Sequence, residues 1–154
     1  MIRHGLLLIG ALALGGCMTA SVPSAPPRPA GETALRVTVN ATPDYVRQVI
    51  LSRAAARGTA GSSPNARTIV LERQMSETTP ALQAVCGPHK PGRRVSVVIT
   101  TERAGNRTTV TERRFLIDGD GTRCAVVMTP EDVVAGNRAL AELKAQAEGQ
   151  MAGR

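Results

Sequence analysis

Aromatic side chains are almost absent from this sequence, and their scarcity limits the folded core more than any other feature. The 154 residues include one Tyr, one Phe and no Trp; the two rings are Tyr45 and Phe115. A folded domain must therefore be closed by aliphatic side chains, and we expect a core of Val, Ile, Leu and Ala. The same scarcity argues against a nucleic-acid surface made of stacking platforms. It also argues against a sugar cleft floored by aromatic rings.

The N-terminal segment has the three parts of a secretory signal. Residues 1–4 are short and basic, residues 5–14 are an almost purely apolar run, and small residues precede Cys17. A helix of about ten residues is roughly 15 Å long. Because a bilayer core is about 30 Å thick and needs around 20 residues, the run is too short for a permanent membrane span. We therefore predict that residues 1–16 are a signal peptide.

The sequence Leu14-Gly15-Gly16-Cys17 resembles the lipobox of bacterial lipoproteins. In that family the cysteine thiol receives a diacylglyceryl group, the chain is cut before the cysteine, and the freed amine is commonly acylated. The resemblance implies lipidation of Cys17 and a lipid anchor on the periplasmic side of an envelope membrane. Met18 stands where an Asp would imply retention at the inner membrane, so the resemblance implies the outer membrane. The alternative is an ordinary secretory signal that carries a cysteine by chance.

A proline-rich stretch separates the signal from the rest of the chain. Residues 17–34 show no apolar period, and we predict an extended, solvated tether. At about 3.1 Å per residue, such a tether spans on the order of 50 Å. Residues 35–149 suit one domain with one core, and residues 150–154 are predicted to be a flexible tail.

Hydrophobic periodicity predicts an α+β fold for residues 35–149. Strands are predicted at 35–39, 68–72, 94–102, 108–117 and 123–128, where apolar and polar residues alternate. Helices are predicted to begin at Pro43 and Pro130, each after a threonine and before acidic residues, and to end near residues 57 and 149. Residues 61–65 are predicted to be a loop, and 76–92 show no period beyond one possible helical turn at 81–85. The order β-α-β-β-β-β-α predicts a small antiparallel sheet with two helices packed on one face.

Cys86 and Cys124 form an even pair once Cys17 is used by lipid. In an oxidising compartment such a pair favours a structural disulfide. A redox pair and a metal site are the alternatives. Both are disfavoured because there is no Cys-x-x-Cys motif and His89 is the only histidine after the signal.

Basic residues outnumber acidic ones by 19 to 12, and the formal net charge is +7. Behind a signal peptide, the anionic neighbours are phospholipid headgroups, lipopolysaccharide or teichoic-type polymers rather than nucleic acid. Arginines concentrate on and near the predicted hairpin at 94–117, and guanidinium groups bind phosphates and carboxylates with two parallel hydrogen bonds. We take Arg94, Arg103 and Arg107 as candidate residues for binding an anionic ligand. The alternative is a solvated sheet face whose charges serve solubility.

Three further patterns are interpreted as structural. Asp118-Gly119-Asp120-Gly121 lacks the later ligands of an EF-hand loop, so we expect a tight turn. His89 lies between two prolines with no nucleophile motif nearby, and we expect a surface histidine. Glu102 and Glu112 are predicted to lie opposite each other across the hairpin in ion pairs with arginines, rather than as a glycosidase pair. No catalytic residue, metal site or cofactor is predicted.

Together these features favour an envelope lipoprotein with a small, non-enzymatic domain. Its expected partners are the membrane, through Cys17, and a protein complex or an anionic envelope polymer. The alternative is a hydrolase or another periplasmic enzyme that acts on cell-wall material, for which the sequence supplies no set of catalytic residues.

Overall fold

The computed structural model describes residues 33–152, which form six strands and three helices. The signal peptide predicted at 1–16, the predicted lipidation site Cys17 and nearly all of the predicted tether lie outside the described residues. In chain order the elements are β1 (Ala34–Val39), α1 (Pro43–Ala56), β2 (Ala60–Asn65), β3 (Thr68–Gln74), α2 (Pro80–Cys86), β4 (Arg94–Ala104), β5 (Arg107–Ile117), β6 (Arg123–Ala125) and α3 (Pro130–Ala152). The predicted α+β fold with a small antiparallel sheet is confirmed.

The six strands form one antiparallel sheet in the order β1-β5-β4-β3-β2. The strand β5 is long enough to pair with two partners along the same edge. Its first half pairs with β1, so that Val37 lies opposite Val110, and its last residues pair with β6, so that Phe115 lies opposite Ala125. This arrangement places the N-terminal strand beside the predicted hairpin of β4 and β5, a contact that no local pattern indicates.

The long helices α1 and α3 pack on one face of the sheet, as predicted. Alternation along the strands sends Leu35, Val39, Ile69, Ile99 and Val110 to that face, where all are buried. The helices contribute a matching aliphatic stripe, which consists of Val46, Val49, Ile50, Leu140, Leu143 and Ala147. The predicted aliphatic core is therefore confirmed among the described residues, since neither Tyr45 nor Phe115 is fully buried.

Several predicted boundaries were wrong. Residues 61–65 are not a loop but most of β2, an exposed edge strand, where the missing N–H of Pro64 does not interrupt the sheet interior. The last strand ends at Ala125 instead of Met128. The predicted tail at 150–154 is also wrong for its first part, because α3 continues to Ala152 and the hydroxyl of Tyr45 donates a hydrogen bond to Gln150 Oε1.

The length and polarity of a helix decide whether it can span a membrane. Of the helices that the structure describes, none is both long and apolar enough to cross a bilayer.

Candidate functional site

The second face of the sheet carries no described helix, and we call it the open face. Its residues follow from the register, in which Arg36 of β1 lies opposite Thr111 of β5, and Thr111 lies opposite Thr100 of β4. Charged side chains on the strands of this face are Arg36, Glu72, Arg94, Glu102, Arg107, Arg113 and Arg123. The charged residues of the open face are therefore predominantly basic, in contrast to the aliphatic face under the helices.

Four of these arginines lie in two pairs along the half of the open face that contains Phe115, and we call them the arginine cluster: Arg36 with Arg113, and Arg94 with Arg123. The guanidinium carbon of Arg123 lies 4.7 Å from the centre of the Phe115 ring, in cation–π contact. Arg113 precedes the ring by two residues on the same strand, about 7 Å away. Arg36 and Arg94 are diagonal neighbours of Arg113 and Phe115 respectively, at about 7–8 Å between Cβ atoms.

Glu72 is the one acidic side chain that the described strands place beside the arginine cluster. Its carboxylate Oε1 lies 3.1 Å from Nε of Arg94, and both side chains remain partly exposed. Ser96 lies between Glu72 and Phe115 in the register and is fully buried beneath the surrounding side chains. Arg94 and Arg123, on either side of Ile117, outnumber Glu72 at this end of the open face, so the described strand residues make the electrostatic potential there positive.

The three arginines predicted from the sequence as one binding set are not brought together. Arg94 and Arg103 lie at opposite ends of β4, about 30 Å apart, and alternation turns them to opposite faces. Arg107 shares the open face with Arg94, but it lies opposite Ala104 at the far end of the hairpin. Only Arg94 belongs to the arginine cluster.

The predicted pairing of two glutamates was wrong. Glu102 lies opposite Thr109 on the open face, whereas Glu112 lies opposite Ile99 on the face under the helices. Glu112 is buried, and its carboxylate accepts a hydrogen bond of 2.8 Å from Nε of Arg114, two residues further along the same strand. The register differs because the turn between β4 and β5 is tighter than the predicted one, with Arg107 already paired to Ala104.

The predicted disulfide between Cys86 and Cys124 is present, with 5.8 Å between the Cα atoms. It joins the end of α2 to β6. A buried guanidinium holds the same region together: Arg93 donates hydrogen bonds to the carbonyl oxygens of Cys86 and Gly87 and to the hydroxyl of Thr78. Nothing in the sequence pattern singled out Arg93 from its neighbours, because its burial depends on the packing of α2.

The turn at Asp118 is held by cations of the protein itself. One carboxylate oxygen of Asp118 lies 2.7 Å from Nε of Arg93 and the other lies 2.8 Å from Nζ of Lys90. Hydrogen bonds from Arg93, and then from Lys90, lower the pKa of Asp118 to about 2, and the bond to Asp118 raises the pKa of Lys90. The turn interpretation of residues 118–121 agrees with this geometry, since Asp118 is already neutralised by side chains.

The remaining candidates from the sequence have structural surroundings. His89 is exposed, and its Nδ1 lies 2.9 Å from the hydroxyl of Thr78. Within residues 33–152, no group of three or more His, Cys, Asp or Glu side chains has an arrangement that would hold a metal ion. Comparison with known sequences adds no family: neither a protein-family model nor a curated protein matches this chain.

Proposed function

We propose that this protein is a lipid-anchored, non-enzymatic binding protein of the bacterial envelope, and that the open face of its sheet binds phosphate or carboxylate groups. The anchor is Cys17, with the outer membrane as its location. The ligand groups belong to an anionic envelope polymer or to lipid headgroups. The single observation that carries the ligand proposal is that one face of the sheet places Arg36 beside Arg113, and Arg94 and Arg123 on either side of Ile117.

Electrostatics support an anionic ligand at this place. Arg36 and Arg113 are diagonal neighbours about 7–8 Å apart, and Arg94 and Arg123 lie about 10 Å apart on either side of Ile117. These separations are close to the Debye length of about 8 Å at physiological ionic strength, so the fields within each pair add. An incoming anion relieves the mutual repulsion of the arginines and replaces water around groups that form paired hydrogen bonds to phosphate or carboxylate. A flat, open sheet suits an extended polymer or a headgroup layer better than a small molecule, for which a concave pocket is typical.

The arrangement along the chain also fits a surface that faces a membrane or a polymer. The proposed tether connects the anchor to β1, and β1 contributes Arg36 at the edge of the arginine cluster. A domain held within about 50 Å of the headgroups would meet its ligand at high effective concentration. Weak contacts with single phosphates would then be sufficient for stable association.

Co-sedimentation with vesicles tests the proposal. The full chain is mixed with phosphatidylglycerol-containing vesicles or with phosphatidylcholine vesicles, and soluble polyphosphate is titrated in parallel. We expect binding to the anionic probes that weakens with added salt. Binding to both polyphosphate and anionic vesicles indicates recognition of phosphate itself, and binding to vesicles alone indicates a headgroup layer. If the protein bound neither the anionic vesicles nor polyphosphate, the proposal would be refuted.

Matched variants locate the surface. Replacing Arg36, Arg94 and Arg123 together by Gln removes three charges from the arginine cluster. Replacing Arg67, Arg103 and Arg138 together by Gln removes three charges from exposed positions outside it. We expect the first variant to lose about tenfold or more in affinity, since hydrogen bonds to charged groups contribute about 1.5–3 kcal/mol each. Equal losses in the two variants would show that only the net charge matters.

A further inference from the structure

The face of the sheet under the helices contains a groove that the core does not fill. A cavity of about 220 Å³ lies between the C-terminal half of α1 and the middle of α3. Its apolar lining includes Leu71, Val97, Ala139 and Leu143. A second cavity of about 270 Å³ continues over Val95 and Leu116 towards α2. Arg114 lines both cavities, and we call the two together the groove.

A partly buried charge pair lies in this otherwise aliphatic layer, with Arg114 25% exposed and Glu112 9% exposed. Glu112 lies opposite Leu35 on one side and Ile99 on the other, and its carboxylate is bonded to Nε of Arg114. Removing a carboxylate from water between two aliphatic side chains is costly, and a buried ion pair rarely stabilises a fold more than apolar residues of the same size would. The pair is therefore not explained by the stability of the core.

Cations predominate in the lining of the groove. Arg53, Arg57 and Arg114 line the first cavity, and Glu112 is its only acid among the described residues. Arg53 is bound to Glu142 of α3 at 2.9 Å, which ties the helices together above the groove. Glu112 is ion-paired with Arg114 and accepts its hydrogen bond from Nε, so the two terminal nitrogens of Arg114 can still donate hydrogen bonds to a bound anion. Two guanidinium groups, those of Arg57 and Arg114, are thus available to a bound anion.

We propose that the groove binds a small amphiphile with one unbranched apolar chain and a carboxylate head, such as a medium-chain fatty acid. The chain lies on Val97 and Leu71, and the carboxylate lies between Arg57 and Arg114. A single chain suits two narrow cavities that are each smaller than the 300–1,000 Å³ of typical ligand pockets. This site lies on the opposite side of the sheet from the arginine cluster and does not depend on the function proposed for the open face.

Calorimetric titration of the full chain with decanoate tests this proposal, with decanol and decyltrimethylammonium as ligands of equal chain length. We expect one decanoate per chain and an affinity at least about tenfold higher than that for decanol, since only the carboxylate accepts charge-assisted hydrogen bonds. Decyltrimethylammonium should bind more weakly than decanol. Equal affinities for decanoate and decanol, or no binding of decanoate, would overturn the proposal.

Three variants locate the binding site. Ala139→Leu fills the first cavity and should abolish binding, whereas Ala141→Leu adds the same side chain to the exposed side of α3 and should leave it unchanged. Arg114→Gln alone would leave Glu112 buried without a counter-ion, so the charge test uses Glu112→Gln with Arg114→Gln. This double variant should lose the preference for decanoate over decanol. Unchanged decanoate affinity in the Ala139→Leu variant would place the site elsewhere and refute the groove.

Discussion

The guanidinium of Arg93 lies against the carboxylate of Asp118, with 2.7 Å between Nε and Oδ1, and the Arg93 side chain is only 1% exposed. This contact connects the turn after β5 to the start of β4. Through its other nitrogens Arg93 also holds the two carbonyl groups at the end of α2, beside Cys86. The disulfide-bonded segment is therefore fixed twice, once by a covalent bond and once by a buried cation.

The first prediction concerns the pH dependence of this contact. The pKa of Asp118 is lowered from 3.8 to about 2, so its ionised form stabilises the fold fully above about pH 4. That contribution is lost as the pH falls from about 4 to about 2, because the folded carboxylate then becomes protonated. Thermal unfolding followed by circular dichroism should show a gap in Tm between wild type and Asp118→Asn that closes over this range. Asp44→Asn, at an exposed carboxylate, is the control, and a gap for Asp118→Asn that does not change with pH would contradict the prediction.

The second prediction concerns the disulfide. Cys86 and Cys124 are 38 residues apart, and closing a loop of that size stabilises the folded state by up to about 4 kcal/mol in the chain-entropy account. Replacing both cysteines by Ala should therefore lower the free energy of unfolding in urea by several kcal/mol, out of a typical total of about 5–15 kcal/mol. Reduced wild-type protein should unfold at nearly the same urea concentration as the double variant. If the oxidised wild-type protein also unfolded at that urea concentration, the disulfide would not contribute to the stability of the fold.

The third prediction concerns the close approach of α3 to the sheet at Gly136. A Cβ atom added to this glycine would lie 2.2 Å from Cδ1 of Leu35, which is itself buried in the core. Gly136→Ala should therefore destabilise the protein. Overpacking lowers the free energy of unfolding by about 1–3 kcal/mol. The higher helix propensity of Ala offsets roughly 1 kcal/mol of this loss.

Gly149 provides the matched control for Gly136. It lies in the same helix, and a Cβ atom added there meets nothing within 4 Å. Gly149→Ala should stabilise the protein by up to about 1 kcal/mol. Equal shifts of the two variants in urea unfolding would show that α3 can move away from Leu35 at no cost.

The fourth prediction concerns the anchor. Cys17→Ser removes the only thiol that the resemblance to the lipobox assigns to lipid. We expect mass spectrometry of the wild-type protein from membranes to show an N-terminal Cys17 with attached acyl chains. The Cys17→Ser protein should carry no lipid and should be recovered in the soluble fraction or as uncut precursor. An unmodified Cys17 thiol in the membrane-associated wild type would contradict the prediction.

Much of the fold could be predicted because local patterns specify single elements. Val95, Val97 and Ile99 alternate as a half-buried strand should, and threonine followed by proline marks the start of both long helices. The strand β2 could not be predicted in this way. Its sequence, Ala-Gly-Ser-Ser-Pro-Asn, has no apolar alternation, and all six residues are exposed. It is a strand because its backbone pairs with β3, which is a tertiary interaction.

The candidate site was predictable only in part. Alternation alone shows that Arg94 and Arg103, nine residues apart on one strand, turn to opposite faces, and this signal was available in the sequence. The position of Arg36 beside Arg113 was not available, because it depends on β1 lying next to β5. The contact of Arg123 with Phe115 depends likewise on the pairing of the short strand β6. Sheet order therefore determined the membership of the arginine cluster.

The last prediction uses Glu72, the acid beside the arginine cluster, to separate local electrostatics from net charge. Its carboxylate lies 3.1 Å from Nε of Arg94 and competes with any anion that approaches the cluster. Glu72→Gln should strengthen binding to phosphatidylglycerol vesicles by about two- to fivefold. The repulsion between Glu72 and a bound anion about 4–8 Å away amounts to about 0.5–1 kcal/mol at the water-exposed surface, and the substitution removes it.

Glu131→Gln makes the same change of net charge at an exposed position in the first turn of α3, away from the sheet, and should alter the affinity much less. Thermal stability should hardly change in the Glu72→Gln variant, because partly exposed ion pairs contribute only about 0–1 kcal/mol. If both substitutions strengthened binding equally, the vesicles would be sensing the charge of the whole domain and not the open face. A weaker affinity in the Glu72→Gln variant would instead mean that Glu72 holds the Arg94 side chain in the position that binds the anion. The binding site would then be Arg94 together with Glu72, and not the arginine cluster as a whole.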